Sequence, residues 1–178
     1  METQVFVRDI KPEEFVALGE LLVDVYSTLV NFPTPLEQPA YYEMLKGIGE
    51  FTKKPGARVL VALLASGELA GGVVYFGDMS QYGPAIAVDV KQASGIRLLG
   101  VHPKCQNMGI GKALANACIA AAREQAHSEV VLHTTKAMHT AWGMYERLGF
   151  ARSPDLDFLQ GELPVFGFRL SLRETLRA

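Results

Sequence analysis

Cysteine is scarce in this chain, with only Cys105 and Cys118 present. Neither belongs to a CxxC or CxxH pair, so a zinc knuckle is not expected and no metal is called for. Isolated thiols of this kind survive in a reducing compartment. Long apolar runs are missing too. Stretches such as Val59–Ala65 are far shorter than the ~20 residues of a membrane-spanning helix, which argues against a membrane role. No charge sign dominates either. The formal net charge is −2 and no Lys/Arg tract extends beyond Lys53-Lys54, so nucleic acid has little to hold. The opening Met1-Glu2-Thr3-Gln4 lacks the basic head and apolar stretch of a secretory signal, and a cytoplasmic location is expected. There is no internal repeat and no low-complexity tract. What remains is an ordinary globular balance of 49% apolar and 20% charged residues. At 178 residues this predicts one domain over 1–178, with a core that needs neither metal nor disulfide.

Strand and helix signals alternate along that length. Gln4–Arg8 alternates as a strand does, and Asp9 and Pro12 open a helix whose buried face carries Phe15, Leu18, Leu22 and Val25. The breaker-rich Asn31-Phe32-Pro33-Thr34-Pro35 separates it from a second helix over about Tyr41 to Phe51. Val59–Ala65 and Leu69–Phe76 form a hairpin around Ser66-Gly67-Glu68. A turn at Tyr82-Gly83-Pro84 and a strand at Ile86–Val90 are expected next, then a strand at Gly95–Val101. Lys112–Ala126 is amphipathic, with Leu114, Ala117, Cys118 and Ala121 on one face. A strand at Glu129–Thr134, a helix at Thr140–Leu148 stopped by Gly149, and a strand at Val165–Leu172 complete the chain. The pattern is that of an α/β or α+β sandwich, a mixed central sheet flanked by helices.

The most informative stretch runs from Val101 to Lys112, between a predicted strand and a predicted helix. A turn here presents several backbone N–H groups together, and the helix start adds the positive end of its dipole, which makes a site for phosphate oxygens. Gly109 and Gly111 carry no side chain and leave the backbone open to close approach. A nucleoside-triphosphate loop is excluded twice: its first Gly would fall on Gln106, and the residue after Lys112 is Ala113, which cannot hold magnesium. A dinucleotide fingerprint fails at Leu114.

Gln106-Asn107-Met108-Gly109-Ile110-Gly111 instead resembles the CoA-binding signature of the GNAT N-acetyltransferase superfamily, Gln/Arg-x-x-Gly-x-Gly/Ala. Leu98-Leu99-Gly100-Val101-His102-Pro103 resembles the strand that leads into it. Ala141-Trp142-Gly143-Met144-Tyr145-Glu146-Arg147-Leu148-Gly149-Phe150 resembles that family's second hallmark, with Met144 in place of Leu. The resemblance spans roughly Val59 to Phe150. It implies a GNAT-like fold and acetyl-CoA as cosubstrate, held by Gln106, Asn107, Met108, Gly109, Ile110, Gly111 and Lys112. The backbone of Leu99 and Val101 would receive the pantetheine arm, and Tyr145 would act as general acid.

A phenol of pKa ~10 keeps its proton at neutral pH and can pass it to a departing thiolate. Read as a residue alone, Tyr145 is equally a core aromatic on an amphipathic helix. Relatives often carry a base, Glu, on the strand before the loop; that position is Gly95 here, which leaves His133 and His102 as candidates. Relatives often place Asn where Met138 stands, with His139 as the neighbouring alternative. The reading that follows is transfer of an acetyl group to a primary amine of a small molecule, and a homodimer is allowed. The alternative is a non-catalytic module that binds or senses acyl-CoA. Asp155, Asp157 and Glu162 are expected as an acidic wall of the acceptor cleft, facing an apolar wall at Phe32-Pro33-Thr34-Pro35.

Overall fold

Alternating and continuous apolar segments become the strands of one mixed sheet. The computed structural model describes residues 4–83 and 92–172; the expected strand at Ile86–Val90 lies outside the described residues. Strands Val5–Asp9 (β1), Ala57–Leu64 (β2), Leu69–Phe76 (β3) and Ala93–Val101 (β4) form an antiparallel run. Glu129–Thr134 (β5) lies parallel to β4, and Leu163–Ser171 (β8) is antiparallel to β5. The short Ala151–Arg152 (β6) and Phe158–Gln160 (β7) both pair with β8. The order across the sheet is β1-β2-β3-β4-β5-β8-β6.

Helices cover both faces. Pro12 opens a 3-10 turn that leads into Phe15–Ser27 (α1), which buries Leu18, Leu21, Leu22 and Tyr26. Pro39–Lys46 (α2) packs beside it. The helix expected to run on to Phe51 breaks at Gly47 and continues as a 3-10 segment, Ile48–Lys53. Together these bury one face of the sheet around Leu45, Ile48, Phe51, Val74 and Phe76. The opposite face packs under Ile110–Glu124 (α3), whose Leu114, Ala115, Cys118 and Ala122 are buried, and beside His139–Arg147 (α4). Ala and Leu suit both the helix and the close approach to the sheet.

One irregularity positions everything functional. The β3–β4 register shifts between Gly72 and Val74, where Leu98 and Leu99 of β4 face the single Val73, and Leu98 in this bulge takes a positive φ of 59°. A bulge bends its strand and adds twist. The parallel pairing of β4 with β5 runs from Ala93–Glu129 to Ile96–Leu132 and stops there. Arg97 to Val101 therefore leave β5, and a wedge-shaped gap opens between the two strands.

Candidate active site at the divergence of two strands

The gap is built by backbone alternation. His102 N–H donates to the carbonyl of Ala70 at 2.8 Å. In an antiparallel ladder successive residues turn their polar groups to opposite sides. Val101 consequently directs its N–H and carbonyl away from β3, into the gap. Within the bulge, the Leu99 carbonyl accepts a 2.9 Å hydrogen bond from the Tyr26 hydroxyl of α1.

Beyond β4 the chain makes a 3-10 turn, Pro103–Cys105, and enters α3 through Gly109. Asn107 and Gly109 both have positive φ, 65° and 79°. This puts the first N–H groups of a fifteen-residue helix at the end of the gap, where they lack intrahelical partners and carry the positive dipole end. A Cβ added to Gly109 would meet nothing within 4 Å, so its exposed face is open ground for an anion. Gly111 has a different reason to be glycine. A Cβ there would lie 3.3 Å from Met144 Sδ and 3.7 Å from Val101 Cγ2, so its absence lets α3 close on α4 and β4.

A cavity of about 640 Å³ follows the gap onto this loop. Its lining includes Leu99, Val101, Gln106, Asn107, Gly109, Ile110, Gly111 and Lys112. Met108 alone of the loop residues singled out in the sequence does not line it; its side chain packs on the core under α3. Several lining residues escaped the sequence reading, Tyr26, Leu29 and Arg147 among them. Tyr26 comes from α1, whose apolar spacing marked it only as a buried helix, and Leu29 lies just past its end. Arg147 comes from α4, one turn after Gly143, where a missing side chain leaves it room: a Cβ on Gly143 would sit 3.2 Å from Arg147 Nη1. With Lys112 it makes a second cation on a cavity that already has a positive helix end. Met138 and His139 both line the cavity, and Met138 Sδ receives the Thr134 hydroxyl at 3.6 Å. Buried Cys105 also contacts the cavity, but burial raises its thiol above the usual range and no base adjoins it. Cys118, pushed up to about 12 by burial, is helix packing.

Tyr145 is not among the residues that line the cavity; it is buried in the core under α3. Its ring stacks edge-on against Phe150 at 5.7 Å, and it is 5% exposed. Burial raises its phenol well above the ordinary range, so the proton is firmly held. Its charge would also be felt by Tyr26, the residue that caps Leu99. Among the described residues the Tyr145 hydroxyl has no hydrogen-bond partner.

Neither histidine offered as a base is free. His133 Nδ1 accepts from the Tyr82 hydroxyl at 2.7 Å, and its Nε2–H donates to the Leu156 carbonyl at 2.8 Å. Burial lowers its pKa and holds the imidazole neutral. His102 Nδ1 accepts the Lys104 N–H at 3.1 Å and caps the 3-10 turn. The place of the missing strand carboxylate is filled: a Cβ on Gly95 would lie 2.5 Å from the Tyr82 ring.

The acidic wall is likewise corrected. Asp155 pairs with Arg169 at 2.6 Å and Asp157 with Arg152 at 2.7 Å, along the β6–β8 edge. Glu162 is an exposed turn residue. Acids near arginines in sequence fold onto them, which spacing alone does not reveal. Phe32 joins an aromatic core cluster rather than the cavity lining: Tyr26, Phe32 and Tyr41 pack mutually at 5.6–6.0 Å, and Tyr42 donates to the Pro33 carbonyl at 2.6 Å. Opposite, the Gln38 and Gln160 side chains bond one another and join this loop to the β7–β8 hairpin.

Comparisons with known proteins agree with this geometry. The acetyltransferase (GNAT) family model matches residues 20–150, and the chain belongs to that family. Among solved structures it resembles a GNAT-family acetyltransferase from Staphylococcus aureus, with a TM-score of 0.73 at 18% identity over 96% of this chain and 100% of that one. It also resembles the Salmonella typhimurium yncA protein solved with its cofactor acetyl-CoA, with a TM-score of 0.62 at 18% identity over 97% of this chain and 96% of that one. At these identities the likeness concerns the fold. A 55-residue stretch is 40% identical to human N-acetyltransferase 8B, covering 31% of this chain and 24% of the human protein. No described helix is long and apolar enough to cross a membrane.

Proposed function

We propose that this protein transfers an acetyl group from acetyl-CoA to the primary amine of a small molecule by direct attack. The observation that carries the reading is the divergence of β4 from β5, with the gap running onto an open Gly109 at the start of α3. The Salmonella neighbour that holds acetyl-CoA supports the choice of donor. Bound acetyl-CoA supplies an activated thioester carbonyl and a thiolate leaving group.

The chain's own residues divide the remaining work. The N–H groups of the Gln106–Lys112 loop, with Lys112 and Arg147, receive the phosphates as charge-assisted donors. The Val101 N–H faces the gap and provides a fixed dipole for the arm. Tyr145 Oη holds the proton that a thiolate takes as the C–S bond breaks and the C–N bond forms. A thiolate in apolar surroundings is costly, so a proton donor beside the departing sulfur lowers that cost. The amine's own proton passes to water, since His133 and His102 are both engaged.

That last point favours a second reading, a module that binds acyl-CoA without turnover. Incubation with acetyl-CoA and a panel of small amines, followed by thiol release and product mass, separates the two. Acetylated amine is expected. Tight acetyl-CoA binding with no transfer to any amine overturns the transferase reading.

A further inference from the structure

Arg97 is the first residue of β4 beyond its pairing with β5, directly at the apex of the gap. Its guanidinium is half-buried on the α1–α2 face. It donates to the Tyr82 carbonyl at 2.8 Å, and its other contact is the Met44 thioether at 3.8 Å, a weak acceptor. It also lies 5.8 Å from the centre of the Tyr82 ring. Its charge reaches the phenols of Tyr26 and Tyr41 and the His133 imidazole. Five N–H donors thus have one good acceptor between them, in an aromatic chamber. Among the described residues no carboxylate pairs with it, while Arg8, Arg58, Arg152 and Arg169 each have at least one.

A partly desolvated guanidinium without a counter-ion is costly, and its planar fork matches a carboxylate. The wall that would have drawn in a simple cationic amine is absent, because Asp155 and Asp157 are already neutralised by arginines. The charge left to be answered at this end of the gap is positive. We infer that the acceptor carries a carboxylate as well as its amine and that Arg97 binds that carboxylate. The substrate class is then an amino acid or a related amphoteric molecule. This deepens the transferase reading and rests on it for the amine, but the carboxylate site itself does not depend on turnover.

The test uses matched pairs that differ only in the anion: N-acetyl amino acids and their carboxamides, spanning the standard side chains, titrated calorimetrically at matched salt. The same amino acids and amides with free amines are assayed in parallel with acetyl-CoA. At least one acid should bind wild-type protein about tenfold or more tighter than its amide. Arg97→Gln should bring that ratio close to one. Arg97→Lys, which keeps the charge but loses the fork, should retain part of it. Thermal unfolding of both variants confirms that the fold is intact. If no pair discriminates in the wild type, or the ratio persists in folded Arg97→Gln, the inference is overturned. Discrimination without any acetyl transfer supports the carboxylate site and sinks the transferase reading. Transfer to carboxylate-free amines with acids rejected does the reverse.

Discussion

The Tyr26 hydroxyl donates a 2.9 Å hydrogen bond to the Leu99 carbonyl, across 73 residues of chain. It anchors α1 to the strand that has just left its neighbour, and it satisfies a backbone group that no strand reaches. Tyr26→Phe keeps the ring packing against Phe32 and removes only this bond. We expect a stability loss of about 1 kcal/mol in urea unfolding, together with a several-fold fall in kcat/KM as the β4 edge loosens. Unchanged values for both would mean that the gap holds its shape without α1.

Gly109 combines a φ of 79° with open space around its missing Cβ. Gly109→Val places a branched side chain where an anion would rest and strains the helix entry. Isothermal calorimetry should show acetyl-CoA affinity reduced by about tenfold or more, in a protein that still unfolds cooperatively. Wild-type affinity in this variant would remove the loop from the binding site.

Tyr145→Phe preserves the edge-on stack with Phe150 and deletes one proton. kcat should drop by about 10²-fold, with acetyl-CoA affinity nearly unaltered. If kcat with an accepted amine does not move, the tyrosine is simply part of the core.

His133 sets a pH dependence of stability rather than of rate. Burial, the largest cause, lowers its folded pKa below the unfolded value of about 6.5; the Leu156 bond opposes this and the Arg97 charge adds to it. The unfolded chain therefore takes up the proton first as pH falls. The stabilisation is complete above pH ~6.5 and declines below it. Asp9, Glu14 and Asp157 are shifted down by their arginines and lose their contribution only in more acidic solution. Urea unfolding at pH 7.5 and 5.5 should show a loss in the wild type that is smaller in His133→Gln. kcat/KM should rise with pH along the ionisation of the acceptor amine, with the same acidic limb in both proteins. A limb that vanishes in His133→Gln would restore His133 as the base.

Much of the fold was legible because it is local. Glu129–Thr134 and Leu69–Phe76 were bounded correctly by apolar runs and turn residues, and the periodicity of α3 showed the helix but set it two residues late at both ends, Lys112–Ala126 against Ile110–Glu124. The loop into α3 was legible because its chemistry is contiguous. The two-residue β6 and three-residue β7 carry too few residues for a period to appear. Expectations failed where partners meet from afar. Tyr82 fills the space beside Gly95 and occupies His133 from 51 residues away. Asp155 looks free until β8 brings Arg169 beside it. The proximity of Arg97 to Met44 and Tyr41 is equally a product of α2 folding over β4.

The short β4–β5 ladder has a mechanical corollary. Strands β1 to β4 form one leaf and β5 to β8 another, and among the described residues the strand pairing that joins them is the register from Ala93–Glu129 to Ile96–Leu132. Such an arrangement is a hinge with a free edge on each side. A ligand arm lying along Val101 would splice the leaves, and amide exchange in Leu98–Val101 and His133–Thr134 should slow together when it binds.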